Sequence, residues 1–352
     1  MSDVDTTDEF RYLPEQAAAL ASGSAPGSGS PHVPQVPQVP QHRRALFTDR
    51  DGRTIGAIEW GTGGPEVTFL HGAGLNAHTW DSTVLALGRP ALAVDLPGHG
   101  HSDWRDDLDY RAETNAAAVF SVLEHVGSDC QLVVGQSLGG LTAAALASRN
   151  PGIVCGIVVV DITPSVDTST GAAAVRDFLN GPPVYASRDE IVERAVAFGI
   201  GSDREALARG VFLNTKAVEG GYIFRHHLAN LHGNAAPLFD ADKSGLWAAF
   251  ERLTVPVLLV RASGGFLTDA LEQEFLDRVP GSRSVTIEGR HNLQEDAPVA
   301  LARAISSALT STTSTTSTST STSTSTSTST STTDADTTGT TDTTTDSGAH
   351  TV

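Results

Sequence analysis

Short apolar runs recur along the chain at intervals that leave room for a helix between them: "EVTFLHG", "ALAVDLPG", "CQLVVGQ", "GIVVVDI", "VPVLLVR" and "SRSVTIEG". Runs without polar alternation are those of strands buried on both faces, as in a parallel sheet. Between them, "RAETNAAAVFSVLEHVG" and "LGGLTAAALASRNPG" have amphipathic, helical patterns, the second closed by an Asn-Pro-Gly stop. An earlier pair, "ALFTDRDGRTIGAIEWG", turns at Arg-Asp-Gly and predicts an antiparallel hairpin at the sheet edge. The repeating strand, helix, strand unit predicts an α/β fold with a mostly parallel central sheet flanked by helices. One interval is too long for a simple crossover. Between "VVVDITPS" and "VPVLLVR" lie "RDEIVERAVAFG", "DREALARGVFLN" and "SGLWAAFERL", which predict a helical cap over about residues 165–250, inserted before the penultimate strands.

Composition separates this core from both ends. Residues 1–43 carry a Gly/Ser stretch and a Val-Pro-Gln repeat, with too few large apolar residues to bury, and are expected to be disordered. Residues 310–352 are Ser/Thr alternation and then Asp, Thr and Gly, so a disordered tail is expected there too. Neither end is expected to add packed surface. The folded unit is then 44–309, about the size at which a single core stops growing.

The formal net charge of −18 argues against nucleic acid, because no basic stripe exists to neutralise phosphates. The start, "MSDVDTTDEFRYL", has no basic, apolar and small-residue order of a signal peptide, and no apolar run approaches membrane-spanning length. A cytoplasmic location without a membrane span is expected. Only two cysteines occur, Cys130 and Cys155; each precedes an apolar run, and buried reduced thiols are expected instead of a disulfide.

The candidate chemistry begins in "VVGQSLGG". Ser137 sits between a buried strand and a small-residue helix, the context that makes G-x-S-x-G a nucleophile elbow. Side chains at Gly135 and Gly139 would collide with backbone as such a turn closes. Upstream, "FLHGAGLNAHTW" supplies a loop whose Ala73 N–H, with that of Leu138 after the nucleophile, could form an oxyanion hole. His71 is expected to brace that loop by hydrogen bonding. Near the end, "SVTIEGRHNLQEDAP" places His291 just past a strand, where it could serve Ser137 as base. The histidines at 226, 227 and 232 have no Cys or carboxylate partner at ligand spacing and are expected on a polar cap surface, with no metal and no cofactor.

"HGAGLNAHTW", "DLPGHGHSDW", "GQSLGG", "VPVLLVR" and "IEGRHNLQEDAP" resemble the successive landmarks of the α/β-hydrolase superfamily over about residues 45–309. Within it the chain looks like the single-domain esterase-like serine hydrolases with a helical cap, a group that includes enol-lactonases and carbon–carbon bond hydrolases. Haloalkane dehalogenases and epoxide hydrolases are similar in layout but use an aspartate nucleophile, so Ser137 argues against both. The resemblance implies cleavage of a small ester, thioester or lactone through an acyl-enzyme. Carbon–carbon cleavage or perhydrolysis on the same residues, and a ligand-binding role with vestigial turnover, stand as alternatives. The chain departs from the family in one place. The acid usually follows the strand reading "VPVLLVR", yet the loop here is "RASGGFLTDA" and the expected position is Gly or Ser. Two aspartates compete for the role: Asp161, ending "IVVVD" beside the strand that delivers Ser137, is the expected acid, and Asp269 stands at the start of a helical pattern where an N-cap is expected.

Overall fold

The computed structural model describes residues 8–22, 38–127, 130–167, 178, 181–199, 203–231 and 243–321. The hairpin β1 (His42–Thr48) and β2 (Thr54–Trp60) forms one edge of an eight-stranded sheet. Its turn is fixed by Asp49, whose carboxylate accepts from the N–H groups of Asp51 and Arg53 at 2.9 and 2.8 Å, and by Gly52 at φ 80°, a left-handed conformation that glycine adopts without strain. The predicted runs follow as β3 (Val67–Leu70), β4 (Ala91–Val94), β5 (Gln131–Gln136), β6 (Val154–Val160), β9 (Val257–Gly264) and β10 (Arg283–Arg290). The strand order is β1-β2-β4-β3-β5-β6-β9-β10, parallel from β4 onward. The last run differs from expectation: β10 is an edge strand and mostly exposed, because no strand among the described residues pairs beyond it.

Strand alternation divides the core between the two faces. Val133, Val159 and Leu259 face α3 (Ala112–Val126) and α4 (Leu138–Arg149), whereas Val134, Val158 and Val260 face the opposite layer with α2 (Asp81–Leu87). Parallel strands need covering on both sides, and the second side is covered partly from an unexpected source. Residues 13–22 form α1 (Leu13–Ser22), with Leu13 and Ala17 packed into that core. The expectation that 1–43 is disordered is therefore corrected for residues 8–22: Leu13 and Ala17 lie one helical turn apart and suffice to seat a short helix. At the other end, α10 (Pro298–Ser321) opens with proline at its first position and continues past 309, so the expected boundary at 310 is corrected as well; residues 322–352 lie outside the described residues.

Glu9 fastens the N-terminal segment electrostatically. Its carboxylate pairs with Arg44 at 2.7 Å and His78 at 3.1 Å, and Arg44 also reaches the buried Asp95 at 2.8 Å. Burial would raise the Glu9 pKa, but hydrogen bonds from His78 and Arg44 hold it well below the usual carboxylate range. Burial would likewise lower that of His78; the adjoining Asp81 carboxylate outweighs this and pushes it up to about 9. Both ring nitrogens then donate, Nδ1 to Asp81 at 2.9 Å and Nε2 to Glu9.

The insertion between β6 and β9 holds α5 (Arg188–Ala197), α6 (Arg204–Asn214) and a hairpin of β7 (Thr215–Val218) with β8 (Gly221–Phe224). It has its own small core of Phe178, Tyr185, Ile191, Val192, Val211 and Phe224. The cap is thus helical with a β-hairpin. Its expected end at 250 is also corrected: α7 (Lys243–Glu251) puts Leu246, Trp247 and Phe250 into the main core, beside Phe275 of α8 (Asp269–Arg278). A further correction concerns Cys130 and Cys155. Cys130 directly precedes β5 and Cys155 is the second residue of the paired strand β6; their Cα atoms are 5.4 Å apart and they are joined as a disulfide.

Deleting residues 1–22 is expected to lower the melting temperature, since Leu13 loses its burial and Arg44 and His78 lose a carboxylate partner; breaking such a pair costs about 3 kcal/mol. Glu9→Gln should reproduce part of the loss. A truncated protein melting with the full-length curve would make residues 8–22 a passive tail.

The raised pKa of His78 also sets a pH window. Its contribution is complete below the ordinary value of 6.5 and is lost as pH rises through about 9. Urea unfolding between pH 6 and 10 should show a loss of up to about 3 kcal/mol, and His78→Gln should flatten that slope. An undiminished slope in the variant would assign it to another group.

Candidate active site

Strands β5 and β6 are adjacent and parallel, so their C-terminal ends deliver residues 137 and 161 to one edge of the sheet. Ser137 stands between the last residue of β5 and the first of α4, with φ 52° and ψ −120°. A left-handed conformation at a non-glycine residue costs roughly 1–3 kcal/mol and persists only where the surroundings fix it. Here the Ser137 N–H donates to Val160 O at 3.1 Å, and Ser137 O accepts from Gly140 N at 2.9 Å. The flanking glycines are obligatory: a Cβ at Gly135 would lie 2.2 Å from Gly139 O, and one at Gly139 would lie 2.1 Å from Leu70 O.

Asp161 also has φ 52° and is wholly buried. Its Oδ1 accepts from Ala262 N at 3.1 Å, and its Oδ2 from Phe266 N at 2.8 Å and from His291 Nδ1 at 2.8 Å. The neighbouring loop explains why the acid position after β9 carries no side chain. A Cβ at Gly265 would lie 2.1 Å from Asp161 Oδ2, so the Asp161 carboxylate occupies the space that a residue there would need. Phe266 then stacks on the His291 ring at 3.8 Å between centroids. Asp269 is elsewhere: its side chain is 94% exposed and pairs with Arg261, while Thr268, and not Asp269, caps α8 by accepting from Leu271 N at 3.3 Å. The structure therefore brings Ser137, Asp161 and His291 to one edge and leaves Asp269 out. His291 bonds to Asp161 through Nδ1 and accepts at its backbone carbonyl from Gln136 Nε2; among the described residues it has no hydrogen bond to the Ser137 hydroxyl.

The loop after β3 holds Ala73, and α4 begins at Leu138; neither N–H has a backbone acceptor among the described residues. His71 braces this loop as expected. Its Nε2 accepts from Leu96 N at 2.9 Å, so the proton sits on Nδ1, which donates to Gly72 O at 2.8 Å. Burial lowers its pKa and keeps it neutral. His99 repeats the device, accepting from Gly74 N at 3.1 Å and donating to Pro97 O at 3.0 Å, and burial together with nearby His71 pushes its pKa well down.

Two cap histidines contradict their expected place on a polar surface. His226 is buried, caps a short 3-10 turn by accepting from Ala229 N at 3.3 Å, and is pushed by burial down to about 3. His227 stacks on Trp104 at 4.5 Å and accepts from the Tyr110 hydroxyl at 2.7 Å. They seal cap to core because the β8 end passes over the 98–110 loop. His232 lies outside the described residues. Among the described residues no group of three His, Cys, Asp or Glu side chains could hold a metal, and no helix is long and apolar enough to cross a membrane.

Sequence reasoning missed two residues at this edge. Gln136 is buried and donates from Nε2 to His291 O at 3.2 Å and Asn292 Oδ1 at 3.3 Å, tying the elbow to the histidine loop; a polar residue ending a buried strand was its only signal. Phe266 left none, because its contact depends on the fold of the 264–268 loop.

A family model described as the alpha/beta hydrolase family matches residues 69–304. Esterase Rv0045c of Mycobacterium tuberculosis is 37% identical over 260 residues, covering 71% of this chain and 85% of that protein. The 2-(acetamidomethylene)succinate hydrolase of Mesorhizobium japonicum is 26% identical over 264 residues, covering 72% and 91%. A solved structure of the M. tuberculosis esterase superposes with a TM-score of 0.71 at 35% identity, covering 86% of this chain and 99% of that one. The expected fold and the resemblance are borne out, and with the sheet, the insertion after β6 and the polar edge they carry one conclusion: the chain belongs to the alpha/beta hydrolase family and is an ester hydrolase.

Proposed function

We propose that the chain cleaves a small carboxylic ester, thioester or lactone through an acyl-enzyme, with Ser137 as nucleophile, His291 as general base and acid, Asp161 as the orienting acid, and the N–H groups of Ala73 and Leu138 as oxyanion hole. The observation that carries this reading is the 2.8 Å hydrogen bond between His291 Nδ1 and the buried Asp161, at the same sheet edge as the strained Ser137. With its proton held on Nδ1 by Asp161, the imidazole presents the lone pair of Nε2 to the serine side. Ser137 Oγ adds to the carbonyl carbon as Nε2 takes its proton, and the carbonyl oxygen gains the negative charge that the two N–H groups meet. Collapse of the adduct breaks the bond to the leaving group, which takes the proton back from His291. Water then repeats the sequence on the acyl-enzyme, and the acid departs. The hydrogen bonds from Ala262 and Phe266 fix Asp161 before substrate arrives, so its orientation costs nothing at the moment of reaction.

Ser137→Ala is expected to lower kcat by at least about 10³ with an unchanged melting curve, and to abolish labelling by a fluorophosphonate. Turnover at the original rate would exclude Ser137 as nucleophile.

Asp161→Asn should lower kcat by about 10⁴, because the histidine loses its counter-charge and its correct tautomer. Asp269→Asn should stay close to the parent enzyme, since Asp269 pairs only with Arg261 at the surface. The reverse pattern in steady-state kinetics would return the acid to the later loop.

A further inference from the structure

One residue of the loop between β9 and α8 touches both Asp161 and His291. Gly265 N donates to Ala262 O at 3.1 Å, and Leu267 is buried in the main core, so Phe266 is held from both sides. Its N–H donates to Asp161 Oδ2 at 2.8 Å. Its ring lies against that of His291, with centroids 3.8 Å apart and planes inclined by 24°. His291 stands between β10 and the short helix α9 (Leu293–Asp296), with Nδ1 bonded to Asp161. Because Gly265 leaves its space to the Asp161 carboxylate, this loop supplies an N–H and an aromatic face where an acid would otherwise stand.

Two neutral aromatic rings avoid such an arrangement. They prefer offset or edge-on contact with centroids about 4.5–7 Å apart, because the negative faces of two π systems repel when one is laid over the other. A cation over the same face is attracted. The contact therefore suits the charged imidazolium better than the neutral imidazole, and the imidazolium is the form His291 takes when Nε2 accepts the Ser137 proton.

We infer that Phe266 is a positioning residue whose ring stabilises the imidazolium form of His291, and that it thereby lowers the barriers to acylation and deacylation. The inference rests on the hydrolase reading in taking His291 as the base. Both steps pass from a neutral to a charged histidine, so an attraction that appears with the charge is realised in the transition state and not in the resting enzyme. Such an interaction acts on kcat and leaves KM unchanged.

The test replaces Phe266 in the full-length protein with phenylalanines carrying one, two or three ring fluorines. These keep the ring's shape and the N–H to Asp161 while weakening the negative potential of the face step by step. With p-nitrophenyl butyrate as substrate, kcat should fall with each fluorine, to about a tenth with three, a factor within the reach of a cation on an aromatic face. KM and the melting temperature should stay those of the parent. In parallel, the pH midpoint of the His291 ring signals, followed by NMR, should move down by up to about one unit, the same factor of ten read as a protonation equilibrium. The charges around that ring are common to the whole series: Asp161 from β6, and Glu295 and the Arg290–Asp296 pair from its own loop. A kcat or a midpoint that ignores the fluorines overturns the proposal. Failure of the hydrolase reading would show separately, as a His291→Ala protein that still turns over the ester; the midpoint then decides alone whether the ring favours the charged histidine.

Discussion

The arrangement of the polar edge depends on one buried carboxylate. Asp161 lies at the end of β6 with no access to solvent, in a backbone conformation that only a fixed environment sustains. Burying an acceptor of this strength is tolerable because backbone N–H groups and an imidazole satisfy it. Each of those partners is in turn positioned by something else: Ala262 by its place in β9, Phe266 by a loop that must carry glycine at 265, His291 by the stacked Phe266 ring and by Gln136. Strand order is what makes this possible. With β5, β6 and β9 consecutive and parallel, serine, acid and the acid's N–H donors emerge at one edge without any long-range adjustment of the backbone.

A second set of buried charges serves a different purpose. Arg44, Glu9, His78, Asp81 and Asp95 form a chain of alternating sign between the sheet edge, the N-terminal segment and the turn behind the loop of Ala73. Asp95 accepts from Ala77 N and His101 N as well, so it joins the loop that carries Ala73 to the loop after β4. The neutral histidines His71 and His99 connect the same loops through donor and acceptor pairs that burial keeps unambiguous. The N–H groups proposed to meet developing charge are thereby held in a frame whose own charges are already balanced. That frame reaches the N-terminal segment through Glu9, and the cap through Asn76, which donates to Leu213 O and Asn214 Oδ1.

The sheet, its two flanking layers and the edge hairpin were legible in the sequence because each rests on local information: uninterrupted apolar runs for buried strands, helical periodicity between them, an Asp-Gly turn for the hairpin. The glycine at 135 was legible for the same reason, since a Cβ there would collide with Gly139 and Gly140 just beyond Ser137; the glycine at 139 answers instead to Leu70 and His71 at the end of β3. His71 as a brace followed from its neighbourhood in the loop. The N-terminal helix was not legible. Leu13 and Ala17 are two apolar residues in a short stretch, and their burial depends on Glu9 finding Arg44 and His78 across 35 and 69 positions of chain. Trp247 and Phe250 were placed in the cap because they precede β9 in sequence; that their helix docks on the main core is a fact of packing.

The sequence by itself singled out Ser137, His291 and the loop of Ala73 as the candidates, through their spacing and through the glycine at 135 that local geometry demands. It favoured Asp161 over Asp269 as the partner of that histidine without bringing either to it. Tertiary structure separated them: β6 lies between β5 and β9, so Asp161 is carried to the histidine, whereas Asp269, a few residues beyond the usual position, turns outward to Arg261. It also decided that Cys130 and Cys155 meet across neighbouring strands, that His226 is buried and that His227 stacks on Trp104. Each of these outcomes depends on which elements become neighbours, and a pattern of 2.0 or 3.6 residues fixes the face a side chain occupies without specifying what will pack against it.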